Sequence, residues 1–381
     1  MSEARARQLL ALGQSVWLDY IHRHELRSGV FAAQVRDQGV VGVTSNPTIF
    51  QQAIASGDTY DASIERLLGE GIAGPALFER LAIEDIQTAC DLLAAEHARS
   101  GGLDGRASIE VSPRLAHDTA GTLEEARRLH RWVARENVMI KVPATAEGLP
   151  AISALTADGM CVNVTLIFSL ARYDQVTDAY LSGLERLAAN GGTLERVFSV
   201  ASFFVSRVDT KVDRALDAAA AARPAGDALR AELEGARGRA AIANARLAYA
   251  RFRAVFTAPR FRALAARGAQ LQRPLWASTS TKNPAYPDTL YVDELIGRDT
   301  VNTMPPATLA AFNDHGRVAP RIEHDLEGAR RLFARLPELG VPLERLIGEL
   351  EQEGVVAFAK SYDALLATLE TRRSLLAGRA R

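Results

Sequence analysis

An α/β fold, and specifically a closed (β/α)₈ barrel, is what this 381-residue chain predicts, on three observations. Short β-rich runs recur from end to end, each is followed by a stretch of helical composition, and the runs number eight. Alternation of strand and helix implies parallel strands joined by right-handed crossovers. Eight such runs suit a ring better than an open sheet. A chain of this length is within what a barrel fills as one domain, and no Pro-, Gly- or Ser-rich linker divides it. Residues 1–381 are therefore read as a single barrel domain with extra helices at the rim and C-terminus.

In chain order the strands are expected at 15–21 (SVWLDYI), 40–45 (VVGVTS), 107–112 (ASIEVS), 138–142 (VMIKV), 160–168 (MCVNVTLIF), 197–205 (VFSVASFFV), 274–279 (PLWAST) and 300–302 (TVN). Helical patterns fall between them at 27–38, 75–99, 122–135 and 169–189, and in a long Ala/Arg-rich stretch within 208–267. That stretch resembles a coiled coil or a basic nucleic-acid arm at first sight. Its acids are interleaved, however, and its alanines follow helical rather than heptad spacing, which points to a solvated helical excursion on the barrel rim. It is compatible with covering a homodimer interface or merely the rim. Residues 321–369 read as amphipathic helices that close the structure.

Composition narrows the function classes. Hydrophobic residues at 48% and charged residues at 24% allow a sizeable core and argue against wholesale disorder. A net charge of -1 argues against a nucleic-acid footprint over the whole surface, though a local basic pocket remains compatible with it. No apolar run is long enough to cross a bilayer, and the charged, amphipathic start MSEARARQLLALGQ lacks the features of a secretory leader. The cytoplasm is the expected compartment. Cys90 and Cys161 are too few and too far apart for a disulfide framework and are expected to be reduced, buried thiols.

Barrel enzymes assemble their sites at the C-terminal ends of several strands, so polar residues inside the β-runs are the informative ones. In ENVMIKVPAT, Val138, Ile140 and Val142 share one face, which sends Lys141 to the other, into the barrel. Burial there penalises an ammonium ion, and a neutral amine is what Schiff-base formation requires. A lysine snorkelling to the rim, or paired with a carboxylate, is the plainer reading of that residue alone. Asp19 and Glu110 are acids within apolar strands, with Ser108 on the face of Glu110. Two carboxylates near one amine supply the parts for proton traffic, one accepting a proton from a hydroxyl and the other serving dehydration of a carbinolamine. Asn163 and Thr165 form a polar pair on one face, and Asn46, Ser202 and Phe204 are further inward candidates. Singly, each reads as a satisfied core or capping residue; together, at successive strand ends, they point to a site. Arg207, Ser278 and Lys282 could cradle a phosphate, and a surface pair of Arg207 with Asp209 or Asp213 is the competing reading.

Taken together, GVTSNPTIF, SIEVSPRLAHDT, VMIKVPAT, CVNVTLIFS, SFFVSRVDTKVD and LWASTSTKNPAYPDTLYVDELIG resemble the transaldolase family, in the longer form found in many bacteria. The segments lie in chain order and cover most of the chain. The resemblance implies a (β/α)₈ TIM barrel that uses no cofactor and no metal. It implies sugar-phosphate substrates and transfer of a dihydroxyacetone unit from sedoheptulose 7-phosphate or fructose 6-phosphate to glyceraldehyde 3-phosphate or erythrose 4-phosphate, in the pentose phosphate pathway. It implies Lys141 as the Schiff-base nucleophile and Asp19 as the acid that takes the C4-hydroxyl proton. Glu110 and Thr165 match the pair that positions a catalytic water, Asn46 and Asn163 the residues that bind donor hydroxyls, with Ser202 beside them, and Arg207 and Ser278 the phosphate binders. Ser280 stands where many family members carry a second phosphate-binding arginine, which leaves Lys282 to supply the missing charge.

Other chemistries fit less well. No H-E-x-x-H, Walker or G-x-G-x-x-G pattern occurs, and no histidine pair has zinc-ligand spacing. A Schiff-base aldolase that releases free dihydroxyacetone is disfavoured by Glu110 and Phe204, and the chain is too short after the barrel for a fused isomerase. The remaining alternative is a catalytically inactive barrel acting as a sugar-phosphate binding or scaffold protein.

Overall fold

The computed structural model describes residues 3–379 and shows a closed, all-parallel ring of eight strands in the order of the sequence. They are β1 (Gln14–Asp19), β2 (Val40–Thr44), β3 (Arg106–Glu110), β4 (Val138–Pro143), β5 (Val162–Ile167), β6 (Ser199–Phe204), β7 (Gln272–Ala277) and β8 (Thr300–Met304). The ring closes where β1 pairs with β8, from Gln14↔Thr300 to Leu18↔Met304. Each of the eight predicted runs overlaps a strand. The seventh begins earlier than expected because Gln272 and Arg273 belong to it. Arg273 is a charge that sequence patterning places in a loop, but its guanidinium is buried at the barrel floor, 2.9 Å from Asp104 and 2.7 Å from the Ser15 hydroxyl.

Trp17 and Trp276 are among the largest fully buried side chains. The Trp17 indole lies so close to β2 that a Cβ on Gly42 would fall 2.6 Å from its ring, which is why a glycine interrupts an otherwise β-branched strand. Outside the ring, Tyr173 of helix Leu170–Ala189 meets Phe203 of β6 edge to face, and Phe203 meets Trp276 of β7 in the same way. Cys90 and Cys161 are free and buried, as anticipated.

The Ala/Arg-rich stretch forms four helices, Ser206–Ala221, Ala228–Gly235, Ala240–Phe256 and Pro259–Ala265. The expected solvated excursion needs correction for the third of them. Ala240, Ala241, Ala245, Ala248, Tyr249 and Phe252 are all buried, so the alanines serve close packing of the helix onto its neighbours rather than exposure. After β8 come Pro306–His315, Leu326–Glu338 and a helix of 37 residues, Leu343–Arg379, which continues past the predicted end and lies over the C-terminal face of the ring. No described helix is long and apolar enough to cross a membrane.

Candidate active site

With all strands parallel, their C-terminal ends open on one face. Asp19 ends β1, Glu110 ends β3 and Phe204 ends β6, while Lys141 and Thr165 lie two residues from the ends of β4 and β5. Strand register sets Lys141 between Glu110 on one side and Asn163 on the other. Lys141 is 5% exposed. Its Nζ donates to the Ser45 carbonyl at 3.2 Å and to Glu110 Oε2 at 3.3 Å. The amine is thus inside the barrel and paired, which rules out a snorkelling lysine and joins burial and a carboxylate partner at one side chain.

Asp19 Oδ1 accepts a hydrogen bond from Thr44 Oγ1 at 2.8 Å, and that hydroxyl is itself 2.8 Å from Thr303 Oγ1. Burial raises the Asp19 carboxyl above its ordinary range, against the opposing pull of the Lys141 charge and the Thr44 bond. Glu110 is pushed up to about 6, again by burial first, with Lys141 opposing and the charge of Asp19 adding to the rise. Two carboxyls of raised proton affinity therefore flank one primary amine, an arrangement suited to passing protons near neutrality. Thr165 is fully buried, and its Oγ1 has no hydrogen-bond partner among the described residues. A hydroxyl left so is available to a water or a substrate oxygen.

Asp19, Lys141, Thr165 and Ser202 share the lining of one cavity of about 240 Å³ with Asn46, Phe204, Arg207, Ser278 and Lys282. Asn46 combines its two readings. Its Oδ1 caps helix Pro47–Ala55 by accepting from the Ile49 N–H at 3.0 Å, while its side-chain amide nitrogen has no protein partner among the described residues. Two predicted residues do not line this cavity. Asn163 is wholly enclosed, its Nδ2 donating to Ser108 Oγ at 3.1 Å and its Oδ1 accepting from Ser202 Oγ at 2.7 Å, so it orients the serine that does. Glu110 meets Lys141 on one side and on the other borders a second, mostly apolar cavity of about 330 Å³.

At the opposite corner, Arg207 is the second residue of helix Ser206–Ala221, and Ser278 follows β7 with φ +57°. The two segments are stitched together by the Ser206 N–H donating to the Ser278 carbonyl at 3.1 Å and by contact of the two serine hydroxyls at 2.9 Å. Lys282 Nζ donates to Ser280 Oγ at 2.7 Å. Arg207 forms no ion pair among the described residues, and desolvation lowers its proton affinity. Desolvation at the mouth and then the charge of Arg207 likewise lower that of Lys282, against the pull of Asp19. Two cations on one cavity wall, the charge of Arg207 depressing Lys282, favour an anion between them.

The competing reading of Arg207 fails for a structural reason. Asp209 instead accepts from the Ala241 N–H at 2.7 Å and from Tyr291 Oη at 2.8 Å, and Asp213 from the Gly238 N–H at 3.0 Å and Tyr286 Oη at 2.7 Å. Asp213, through Tyr286, thereby ties the loop that carries Lys282 to the helix that carries Arg207, and Asp209, through Tyr291, ties the short helix Leu290–Glu294 to it. Burial, with Asp213 adding to it, pushes Asp209 up to about 7, so the folded protein holds a proton there that the unfolded chain releases. Stability from this group is complete at low pH and is lost as pH rises through about 7. Asp209→Asn is accordingly expected to gain on the parent by about 1.4 kcal/mol per pH unit between the ordinary carboxylate range and neutrality, read from urea denaturation midpoints. A difference independent of pH would contradict this.

Sequence reasoning missed Thr44, Thr303 and the Ser45 carbonyl, whose roles depend on which strands meet, and Phe358 and Ser361, which reach the cavity from the C-terminal helix. For the last two, no local signal in the sequence marks them.

The chain is similar to known proteins along most of its length. A profile described as Transaldolase/Fructose-6-phosphate aldolase matches residues 16–369. A transaldolase of Frankia alni (strain DSM 45986 / CECT 9034 / ACN14a) is 50% identical over 363 residues, covering 95% of each chain. One of Parafrankia sp. (strain EAN1pec) is 51% identical over 362 residues, covering 95% of this chain and 96% of its own. One of Mycobacterium tuberculosis (strain ATCC 25618 / H37Rv) is 48% identical over 369 residues, covering 96% of each.

Proposed function

The chain belongs to the transaldolase/fructose-6-phosphate aldolase family, and we propose that it acts as a transaldolase, moving a dihydroxyacetone unit from a ketose phosphate to an aldose phosphate through a Schiff base on Lys141. The observation that carries this reading is a buried lysine between two carboxyls of raised proton affinity, in a cavity whose far wall holds two cations that form no ion pair among the described residues.

The reaction follows from the positions. Arg207, Ser278 and Lys282 take the phosphate of fructose 6-phosphate or sedoheptulose 7-phosphate, which directs the ketose carbonyl toward Lys141. The amine adds to C2, and loss of water gives an imine; Glu110, with a water held at Thr165 Oγ1, supplies and removes the protons of that dehydration. Asp19 takes the proton of the C4 hydroxyl, the C3–C4 bond breaks, and its electron pair flows into the iminium to leave an enamine. The aldose phosphate departs. Asn46 and Ser202, the latter oriented by Asn163, hold the hydroxyls of the three-carbon unit until an acceptor aldehyde takes it up and hydrolysis frees Lys141.

The test is release of glyceraldehyde 3-phosphate from fructose 6-phosphate with and without erythrose 4-phosphate. Steady release that requires the acceptor is expected. Steady release without it would make the protein an aldolase, and no release would leave a binding protein. The phosphate corner has its own test. Lys282→Ala is expected to raise KM for fructose 6-phosphate about tenfold with kcat little changed, the ~1.5 kcal/mol of one charge-assisted hydrogen bond. An unchanged KM would remove Lys282 from the site.

A further inference from the structure

The C-terminal helix Leu343–Arg379 does more than close the fold. It contributes Ala357, Phe358 and Ser361 to the lining of the reaction cavity, and the ring of Phe358 has its centroid 5.6 Å from Lys141 Nζ. The helix is held down along its length. Lys211 pairs with Glu349 at 2.8 Å and with Glu353, Arg172 with Glu351 at 2.9 Å, and Arg114 with Asp363 at 2.7 Å. Between these anchors, Gly354 lets the helix approach the end of β5, since a Cβ there would lie 3.1 Å from Leu166 Cδ2 and 3.4 Å from Phe168 Cε2. The helix thus carries an aromatic ring to the nucleophile from a part of the chain outside the eight strands.

A Lys141-bound enamine has two fates. Its nucleophilic carbon can attack an acceptor aldehyde, forming a carbon–carbon bond. Alternatively that carbon takes a proton, the resulting iminium adds water at C2, and the C–N bond breaks to free dihydroxyacetone and the Lys141 amine. The second course consumes one water and needs no other reactant. Which course prevails depends on water reaching the imine, and an apolar cover is the physical means of limiting it. We propose that Phe358 is a specificity-determining residue that keeps water from the Lys141-bound three-carbon unit and so makes the protein a transferase rather than an aldolase. This rests on the Schiff-base reading above.

The experiment compares parent, Phe358→Ala and Phe358→Leu, each with fructose 6-phosphate, and takes the ratio of acceptor-independent to acceptor-dependent release of glyceraldehyde 3-phosphate. The alanine variant is expected to raise this ratio about tenfold, equivalent to ~1.4 kcal/mol between two competing barriers. The leucine variant, which keeps an apolar cover without the ring, is expected to stay near the parent. A ring needed only for packing would change stability or total rate and leave the ratio alone. Should Phe358→Ala fail to fold, Gly354→Leu tests the same idea by lifting the helix off Leu166 and Phe168, and it is expected to raise the ratio too. An unchanged ratio in the folded variants overturns the proposal. A parent that shows no acceptor-dependent release defeats instead the function on which it rests, so the two failures are distinguishable.

Discussion

Lys141→Ala is expected to lose turnover by about 10⁴-fold or more, because no other amine in the cavity can replace the covalent step. Lys282, the other amine among the described residues that line the cavity, is engaged with Ser280 beside Arg207. Borohydride added with fructose 6-phosphate should fix a sugar fragment to the parent and none to the variant, as read by intact-protein mass. The fold should survive, since truncation of one inward side chain enlarges a cavity that already exists. A secondary effect checks the electrostatics. The charge of Lys141 pulls the proton affinity of Glu110 down, so its removal should move that carboxyl above its present value of about 6 in a carbon-detected NMR titration. Retained turnover, or retained trapping, would end the scheme.

Asp19→Asn should separate bond cleavage from imine formation. Asparagine preserves the shape and can still accept the Thr44 hydroxyl at its Oδ1, but it has no basic oxygen for the C4 proton. Loss of general-base catalysis typically costs about 10²–10⁴ in rate. The imine should form nonetheless, because Lys141 and Glu110 are intact, so borohydride would now fix the uncleaved six-carbon sugar phosphate. Trapping of a three-carbon fragment at the parental rate would show that another group takes the proton.

The sequence disclosed the ring and much of the site for one physical reason. A barrel strand buries both faces, so each polar residue in it stands out against an apolar background, and Asp19, Glu110, Lys141, Asn163 and Thr165 all did. What alternation could not show was depth. Asn163 shares a face with Thr165, yet its amide is used up by Ser108 and Ser202, while the Thr165 hydroxyl is left unpartnered. Nor could it show partners from distant segments. Asp209 and Asp213 look like natural mates for Arg207 a few residues away, until Tyr291 and Tyr286 arrive from beyond β7 to take them. Phe358 was invisible for the same reason, being one apolar residue in an amphipathic helix until the fold lays that helix over the mouth of the ring.

The pairing of β1 with β8 has a consequence in time. The strand β1 can gain its second neighbour only after residues 300–304 have been made, so one of its edges stays unpaired while the strands between them emerge. Contacts this distant in sequence slow folding and prolong the exposure of a sticky edge. The helix that roofs Lys141 emerges later still. A nascent chain therefore carries Lys141, Asp19 and Glu110 before the helix that covers them has been made.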